Sequence, residues 1–305
     1  MRVKILGSAA GGGFPQWNCA CSNCSAIRRG QFHGKPRLQT QLAVSSDGSR
    51  WFLLGASPDL RAQIESTPDL HPRDGFRHSP IAGAILASAD LDHVLGLLLL
   101  RELQPLRVHA TEPVIHLLRE ENRMFAMLNR IPGQVQWRVI RAGERLSLQT
   151  VEDSSLGIDC MPVALSSRLP AYTTKNSTSN DAVLGLVLNG ASGKKLGFFP
   201  QLPSLTPELQ AIFASLDYLL VDGTFWSDDE LIRLQGAGQR AREMGHIPVG
   251  SQDGTLQQLK TLTNPRKMYI HINNTNPMLN QAGPEYRQVC DAGWELAEDG
   301  CQFTL

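Results

Sequence analysis

The chain has no surplus of charge of either sign: 29 Lys and Arg face 29 Asp and Glu over 305 residues. No dense basic block stands anywhere in it, so binding to nucleic acid or to an anionic membrane surface has no electrostatic support. It also lacks a long apolar run. The stretch Leu97-Leu98-Leu99-Leu100 ends at Arg101-Glu102, far short of the roughly 20 residues that a bilayer span needs. The opening MRVKILG has too short an apolar part for a signal peptide, and glycines follow at once. The expectation is a cytoplasmic protein with no membrane-spanning segment. No internal repeat, low-complexity tract or linker divides the sequence, so residues 1–305 are expected to form one domain. A dinucleotide fingerprint is missing too. Gly7 and Gly11 to Gly13 lack its spacing and run into Phe14-Pro15 rather than a helix.

Cysteine is sparse and uneven. Of six, Cys19, Cys21 and Cys24 fall within six residues, while Cys160, Cys290 and Cys301 stand alone. A disulfide framework is denser and more evenly spread. Three thiols at C-x-C and C-x-x-C spacing instead point to structural zinc in a loop near residues 14–35, with a fourth ligand from elsewhere. His33 is the nearest imidazole; Cys160, Cys290 or Cys301 would have to be brought close by folding.

Short apolar runs punctuated by turn signals fill most of the rest. Val3–Leu6, Gln39–Ser45 and Trp51–Leu54 read as strands, the last two joined at Asp47-Gly48. A helix is predicted from Ser57-Pro58. Ala82–Ala87, Leu106–Ala110, Arg138–Ile140, Leu146–Gln149, Ile158–Val163, Ala182–Leu188, Lys195–Phe199, Leu216–Val221 and Met268–Ile272 read as further strands. Val94–Leu103, Glu112–Asn129, Asp228–Glu243 and Thr255–Leu262 read as helices, and Ser166–Asp181 as a polar loop that includes Arg168, Tyr172 and Lys175. This hairpin-rich order lacks the regular alternation of a doubly wound sheet. It fits two sheets packed face to face with helices outside.

The chemistry-bearing residues collect at strand ends. Ser88-Ala89-Asp90-Leu91-Asp92-His93 separates a buried strand from a helix, where open α/β folds place ligands. Asp222 follows the strand Leu216–Val221, and His271 lies in Met268–Ile272. Two imidazoles and two carboxylates suit Fe(II), Zn(II) or Mn(II). His246, after Met244-Gly245, belongs either to a cleft or to the core.

This ordering resembles the metallo-beta-lactamase superfamily, whose motif is HxHxDH. Ser88 and Asp90 stand where its first two histidines would be, while Asp92 and His93 match its last two ligands. Asp222 matches the bridging carboxylate and His271 the last histidine, and no histidine occurs near Met161–Ser167. The resemblance implies a metallo-beta-lactamase-like αββα sandwich with two mixed β sheets, and a mononuclear site of Asp92, His93, Asp222 and His271. A two-metal hydrolase is correspondingly disfavoured. Within that superfamily, GSAAGGGFPQWNCACSNC, SADLDHVLGLLLLRE, MGHIP and HINNTNP resemble the coenzyme PQQ synthesis protein B family over essentially the full length. That resemblance implies work in pyrroloquinoline quinone biosynthesis. The expected reaction is iron-dependent, O2-using hydroxylation of the tyrosine ring in a precursor derived from a Glu-Tyr crosslinked peptide. It further implies Fe(II) on Asp92, His93, Asp222 and His271, with Zn(II) able to take the same place in purified protein. Asp90 is expected to orient a ligand or relay a proton. Cys19, Cys21 and Cys24 carry over as structural zinc ligands. The alternative is a carrier of PQQ or its precursor toward the periplasm, and other proteins of the pathway are expected partners.

Overall fold

The computed structural model describes residues 1–102, 104–173 and 179–305. Lys175, expected in the polar loop, and Leu103, the expected end of a helix, lie outside the described residues. The strands are β1 (Arg2–Gly7), β2 (Gln41–Ser45), β3 (Trp51–Leu54), β4 (Ile81–Ile85), β5 (Leu106–Ala110), β6 (Val135–Val139), β7 (Leu146–Gln149), β8 (Ser155–Ser166), β9 (Val183–Asn189), β10 (Lys195–Phe199), β11 (Tyr218–Asp222), β12 (Arg266–Ile270), β13 (Trp294–Leu296) and β14 (Gln302–Thr304). The α-helices are α1 (Ser22–Arg28), α2 (Leu60–Glu65), α3 (Leu91–Val94), α4 (Glu112–His116), α5 (Pro207–Ala214), α6 (Glu230–Gln235), α7 (Thr255–Gln258) and α8 (Pro284–Asp291). Among the described residues, no helix is long and apolar enough to cross a membrane.

The chain divides into two compact units, each discontinuous in sequence. The first comprises Met1–Gly7, Gln41–Lys195 and Gly300–Leu305; the second comprises Ser8–Thr40 and Leu196–Asp299. In the first, seven strands run β14-β1-β2-β3-β4-β5-β6. Pairing is antiparallel from β14 to β3 and parallel from β3 to β6. The apolar character of β3 and β4 suits strands buried on both faces. The core on one face is built from Trp51, Leu53, Ile81, Ala84, Val108, Leu117 and Phe125. Strands β7, β8 and β9 form an antiparallel ladder in the same unit. The second unit carries a parallel ladder, β10-β11-β12-β13. Its irregular residues 8–40 are fastened by polar ties: the Ser8 hydroxyl donates to Asp299 Oδ1 at 2.6 Å, and Arg37 Nη1 donates to Ser8 Oγ at 2.8 Å.

Four helical expectations change in detail. Glu112–Asn129 is three pieces: α4, a π turn at Leu117–Glu121 and a 3-10 segment at Arg123–Asn129. The break is at Asn122, whose extended backbone restarts the helix with its side chain accepting from Met124 N–H at 3.2 Å. Asp228–Glu243 stops at Gly236, which takes the left-handed conformation that closes α6. The segment after α3 is 3-10 rather than α over Leu95–Arg101. The Thr255–Leu262 helix is limited to α7.

His109 on β5 is buried beside Phe52, their rings 5.7 Å apart, and neither ring nitrogen has a hydrogen-bond partner among the described residues. Burial, then the charges of Arg107 and Arg138, push its pKa from 6.5 down to about 4. The unfolded chain therefore takes a proton as pH falls below 6.5, whereas the folded chain resists until about 4. Stability is lost through that window. Replacing His109 with Phe should flatten this acid limb by about 2 kcal/mol, read as urea stability at pH 4.5 against pH 7. An unchanged slope would show that His109 is not its source.

Candidate metal centres

Two side-chain relays of the same design hold two histidines, one in each unit. In the first unit β4 leads through Leu86-Ala87 to Ser88, and α3 starts at Leu91. Ser88 Oγ lies 2.9 Å from Asp90 Oδ2 and 3.0 Å from His93 Nδ1. A hydroxyl carries one hydrogen, and the carboxylate is its stronger acceptor. Ser88 therefore donates to Asp90 and accepts from His93 Nδ1–H. The tautomer so fixed leaves the lone pair of His93 on Nε2, the nitrogen 3.9 Å from Asp92 Oδ2. Tyr172, in the loop after β8, donates its hydroxyl to Ala89 O. Burial, with the Asp90 charge adding to it, pushes that phenol up to about 12. Ser88 and Asp90, the positions of the missing motif histidines, thus orient His93.

The second relay uses Asp222, Thr224 and His271. Asp222 ends β11 and is fully buried. Its Oδ1 accepts from Thr224 N at 3.0 Å and Thr224 Oγ1 at 2.6 Å. Its Oδ2 accepts from Leu202 N at 2.9 Å and pairs with His246 Nδ1 at 2.7 Å. Four donors meet the roughly four lone-pair sites of a carboxylate. Thr224 Oγ1 also lies 2.8 Å from His271 Nδ1 and 2.9 Å from His271 O. Its single hydrogen goes to an oxygen, so it accepts from His271 Nδ1–H. Both His246 and His271 then carry their lone pairs on Nε2. Their rings are stacked with centroids 5.6 Å apart, and ligand atoms of Asp222, His246 and His271 all lie within 4.8 Å of one another. Gly223 permits this packing, because a Cβ there would stand 2.9 Å from both Tyr269 Cβ and Met278 Cε.

His271 was expected inside a strand. It is instead the first residue beyond β12, held at φ +57°, left-handed backbone that a non-glycine residue adopts at a cost. The following residues hold it there: Ile272 N–H donates to Ser8 O, Ala10 N–H to Ile272 O and Asn273 N–H to Thr224 O. Asn276 Nδ2 donates to Gly223 O at 3.0 Å. Sequence reasoning left His246 undecided and passed over Thr224. The signal for Thr224 is its place two residues after a strand-end aspartate.

Glu230, at the start of α6, accepts from Trp226 N at 2.7 Å and from the Thr275 hydroxyl. Burial, only partly offset by those bonds, raises its pKa from 4.5 to about 7. The unfolded chain ionises first as pH rises, so stability should decline from pH 4.5 to about 7. A Glu230→Gln variant should remove most of that decline, gaining about 2 kcal/mol over wild type at pH 8. Equal urea midpoints at pH 8 would count against it.

The thiols form the other group. Sulfur atoms of Cys19, Cys21 and Cys24 lie within 4.8 Å of one another in a group holding neither histidine nor carboxylate. Cys21 precedes α1, with its Sγ accepting from Cys24 N–H at 3.5 Å. His33, the nearest imidazole and one candidate for the fourth ligand, is not in the group among the described residues; its carbonyl accepts from Gln281 N–H at 2.7 Å. Cys290 is exposed on α8. Cys160 is buried in β8, and burial pushes its thiol far up.

The beta-lactamase superfamily domain matches residues 50–272. Coenzyme PQQ synthesis protein B of Methylococcus capsulatus is 40% identical over 308 residues, and that of Methylorubrum extorquens is 39% identical over 305. Both matches cover 100% of this chain and 100% of the relative. The crystal structure of Zn(2+)-bound PqqB from Methylobacterium extorquens superposes with TM-score 0.92 at 37% identity, covering 100% of each chain. A diphosphatase of the PhnP family, 18% identical, superposes with TM-score 0.66 over 100% of this chain and 97% of its own, a likeness of fold alone. The αββα architecture with two mixed sheets expected from the sequence is the fold of this chain. It belongs to the coenzyme PQQ synthesis protein B family of the beta-lactamase superfamily.

Proposed function

We propose that this chain works in PQQ biosynthesis, hydroxylating the tyrosine ring of the Glu-Tyr crosslinked precursor with O2 at a single Fe(II). Full-length similarity to the PQQ family supports the pathway. The observation that carries the mononuclear reading is the use of Ser88 and Asp90. Positions that would ligate a second metal hold the Nδ1 face of His93 instead. The expected ligands are Asp92, His93 and His271, each histidine with its Nε2 lone pair set by a hydroxyl relay. Asp222 was expected as a ligand or its immediate support. Its four hydrogen bonds favour support, holding His246 directly and His271 through Thr224. When bound, Fe(II) supplies O2 reduction. One oxygen atom enters the ring and the other leaves as water, with two electrons and two protons drawn from an external reductant. Asp90, at the start of α3, orients His93 through Ser88 and is the residue placed to relay a proton. Zn(II) competes for the same ligands, since the general affinity order favours it over Fe(II). A second zinc, structural, belongs to the three clustered thiols, whose type, number and spacing fit it.

The test is anaerobic reconstitution with Fe(II), then precursor and O2 with a reductant. A product heavier by one oxygen atom, absent in His93→Ala and His271→Ala proteins, is expected. An iron-loaded chain that adds no oxygen would overturn the hydroxylase reading. If those two variants still bound the precursor tightly, the carrier role would stand in its place.

A further inference from the structure

The first unit contains a cavity of about 670 Å3 that neither Asp92 nor His93 lines. It lies at the carboxyl ends of the parallel strands β5 and β6, the end of a parallel sheet where ligands bind. Its volume is that of a small-molecule site, roughly 300–1,000 Å3. Much of the wall is apolar. Pro113 of α4, Leu117 of the π turn, Val139 and Ile140 at the end of β6, and Leu169 all face it. A ligand that fills it therefore has an apolar body, which covers that surface.

The charged groups set the rest of the ligand. Glu112, Glu121 and Asp181 line the cavity against Arg141 and His116. Both basic groups already have acidic neighbours. Arg141 Nη1 lies 3.7 Å from Glu144 Oε2, outside the lining. His116 Nε2 lies 3.2 Å from Glu121 Oε1. Residues five apart point to different faces of an α-helix, and the wider π turn over Leu117–Glu121 brings these two together. Asp181 accepts from the Ser179 hydroxyl, which uses one of the roughly four lone-pair sites of its carboxylate. The balance among the described lining residues is negative. A bare divalent ion has no cage here, because among the described residues no three of these side chains bring ligand atoms within 4.8 Å of one another. Spread carboxylates over an apolar wall suit an organic cation.

We propose that this cavity is a second binding site, for a small organic ammonium ion carried on an apolar body. The ammonium sits among Glu112, Glu121 and Asp181, and the body lies against Leu117, Ile140 and Leu169. The site needs no metal and goes beyond the hydroxylase reading.

Three probes with one apolar body test this at pH 7 on the zinc-loaded full chain: phenethylamine, 2-phenylethanol and 3-phenylpropionate. Phenethylamine should move the methyl NMR signals of Leu117, Val139, Ile140 and Leu169 saturably. It should bind at least about fivefold tighter than 2-phenylethanol, with 3-phenylpropionate weaker still, and salt should narrow the difference. A Glu121→Gln, Asp181→Asn double variant should lose about fivefold in affinity for the amine and keep its affinity for the alcohol. A His93→Ala protein should bind the amine as wild type does. Loss of binding there would put the amine at the metal and overturn the site. Equal affinity for amine and alcohol, unmoved methyl signals, or wild-type amine affinity in the double variant would overturn it too. Should the double variant not fold, the ranking of the three probes on wild type decides. Every readout is a binding readout, so a chain that adds no oxygen would fail the hydroxylase reading and leave this site standing.

Discussion

Replacing Asp222 with alanine should cost about 4 kcal/mol of stability, among the largest losses of any single substitution in the second unit. The residue is fully buried, and its two oxygens take hydrogen bonds from Leu202 N, Thr224 N, Thr224 Oγ1 and His246 Nδ1. Alanine removes every acceptor at once. The Thr224 hydroxyl can turn to His271 O, 2.9 Å away, but the two amides and the imidazole cannot. Each stranded buried donor costs roughly 1–3 kcal/mol, and water entering the vacated space recovers part of it. An Asp222→Asn variant should lose about half as much. It keeps one carbonyl oxygen, but its N–H end faces donors. The same change should drive the His246 proton from Nδ1 to Nε2. Urea denaturation of metal-free protein reads the stabilities, and imidazole nitrogen shifts read the tautomer. A loss below about 1 kcal/mol for the alanine variant would mean that Asp222 is not the hub of this network.

The strand-end residues that the proposed site uses were legible in the sequence because the motif is local. Asp92 and His93 are adjacent, and apolar runs frame both Asp222 and His271. β1 to β5 were legible for the same reason, each being a short run bounded by turn residues, as at Asp47-Gly48. What the sequence hid depends on tertiary neighbours. Ser88 read as an absence of histidine, and only folding turns it into the support of His93; Asp90 was expected to orient a ligand or relay a proton, but its link to His93 through Ser88 was not legible. Thr224 gains its role from two residues, Asp222 and His271, that are brought together by adjacent parallel strands β11 and β12. Asn274 meets Cys24 across 250 residues of sequence, with no periodicity to announce it. Helix ends were hidden for a more local reason: Asn122 and Gly236 interrupt patterns whose apolar spacing continues past them.

Replacing Cys24 with alanine should empty the thiol centre and lower the melting temperature of zinc-loaded protein by about 10 °C. Residues 8–40 hold one seven-residue helix, α1, and otherwise only isolated bridges at Ala9 and Phe14. Such a segment buries little apolar surface of its own, so a metal clip contributes a large share of its order. Zinc present at about a thousand times its dissociation constant stabilises the folded chain by about 4 kcal/mol. At roughly 2–4 °C per kcal/mol for a domain somewhat smaller than this, that amounts to about 10 °C. Cys24 is the test position because it is wholly buried and sits on α1, while Cys19 and Cys21 are partly exposed. A chelator should lower the wild-type melting temperature much more than that of Cys24→Ala, whose remaining zinc is the one at the histidine site. His271→Ala, which spares all three thiols, should keep one zinc and most of the stability. The consequence should also reach the chemistry, because the loop released from α1 begins at His271, whose left-handed backbone needs that restraint. Cys24→Ala protein should therefore bind Fe(II) at the histidine site less tightly than wild type. Full zinc content and an unchanged melting temperature in Cys24→Ala would rule out the clip.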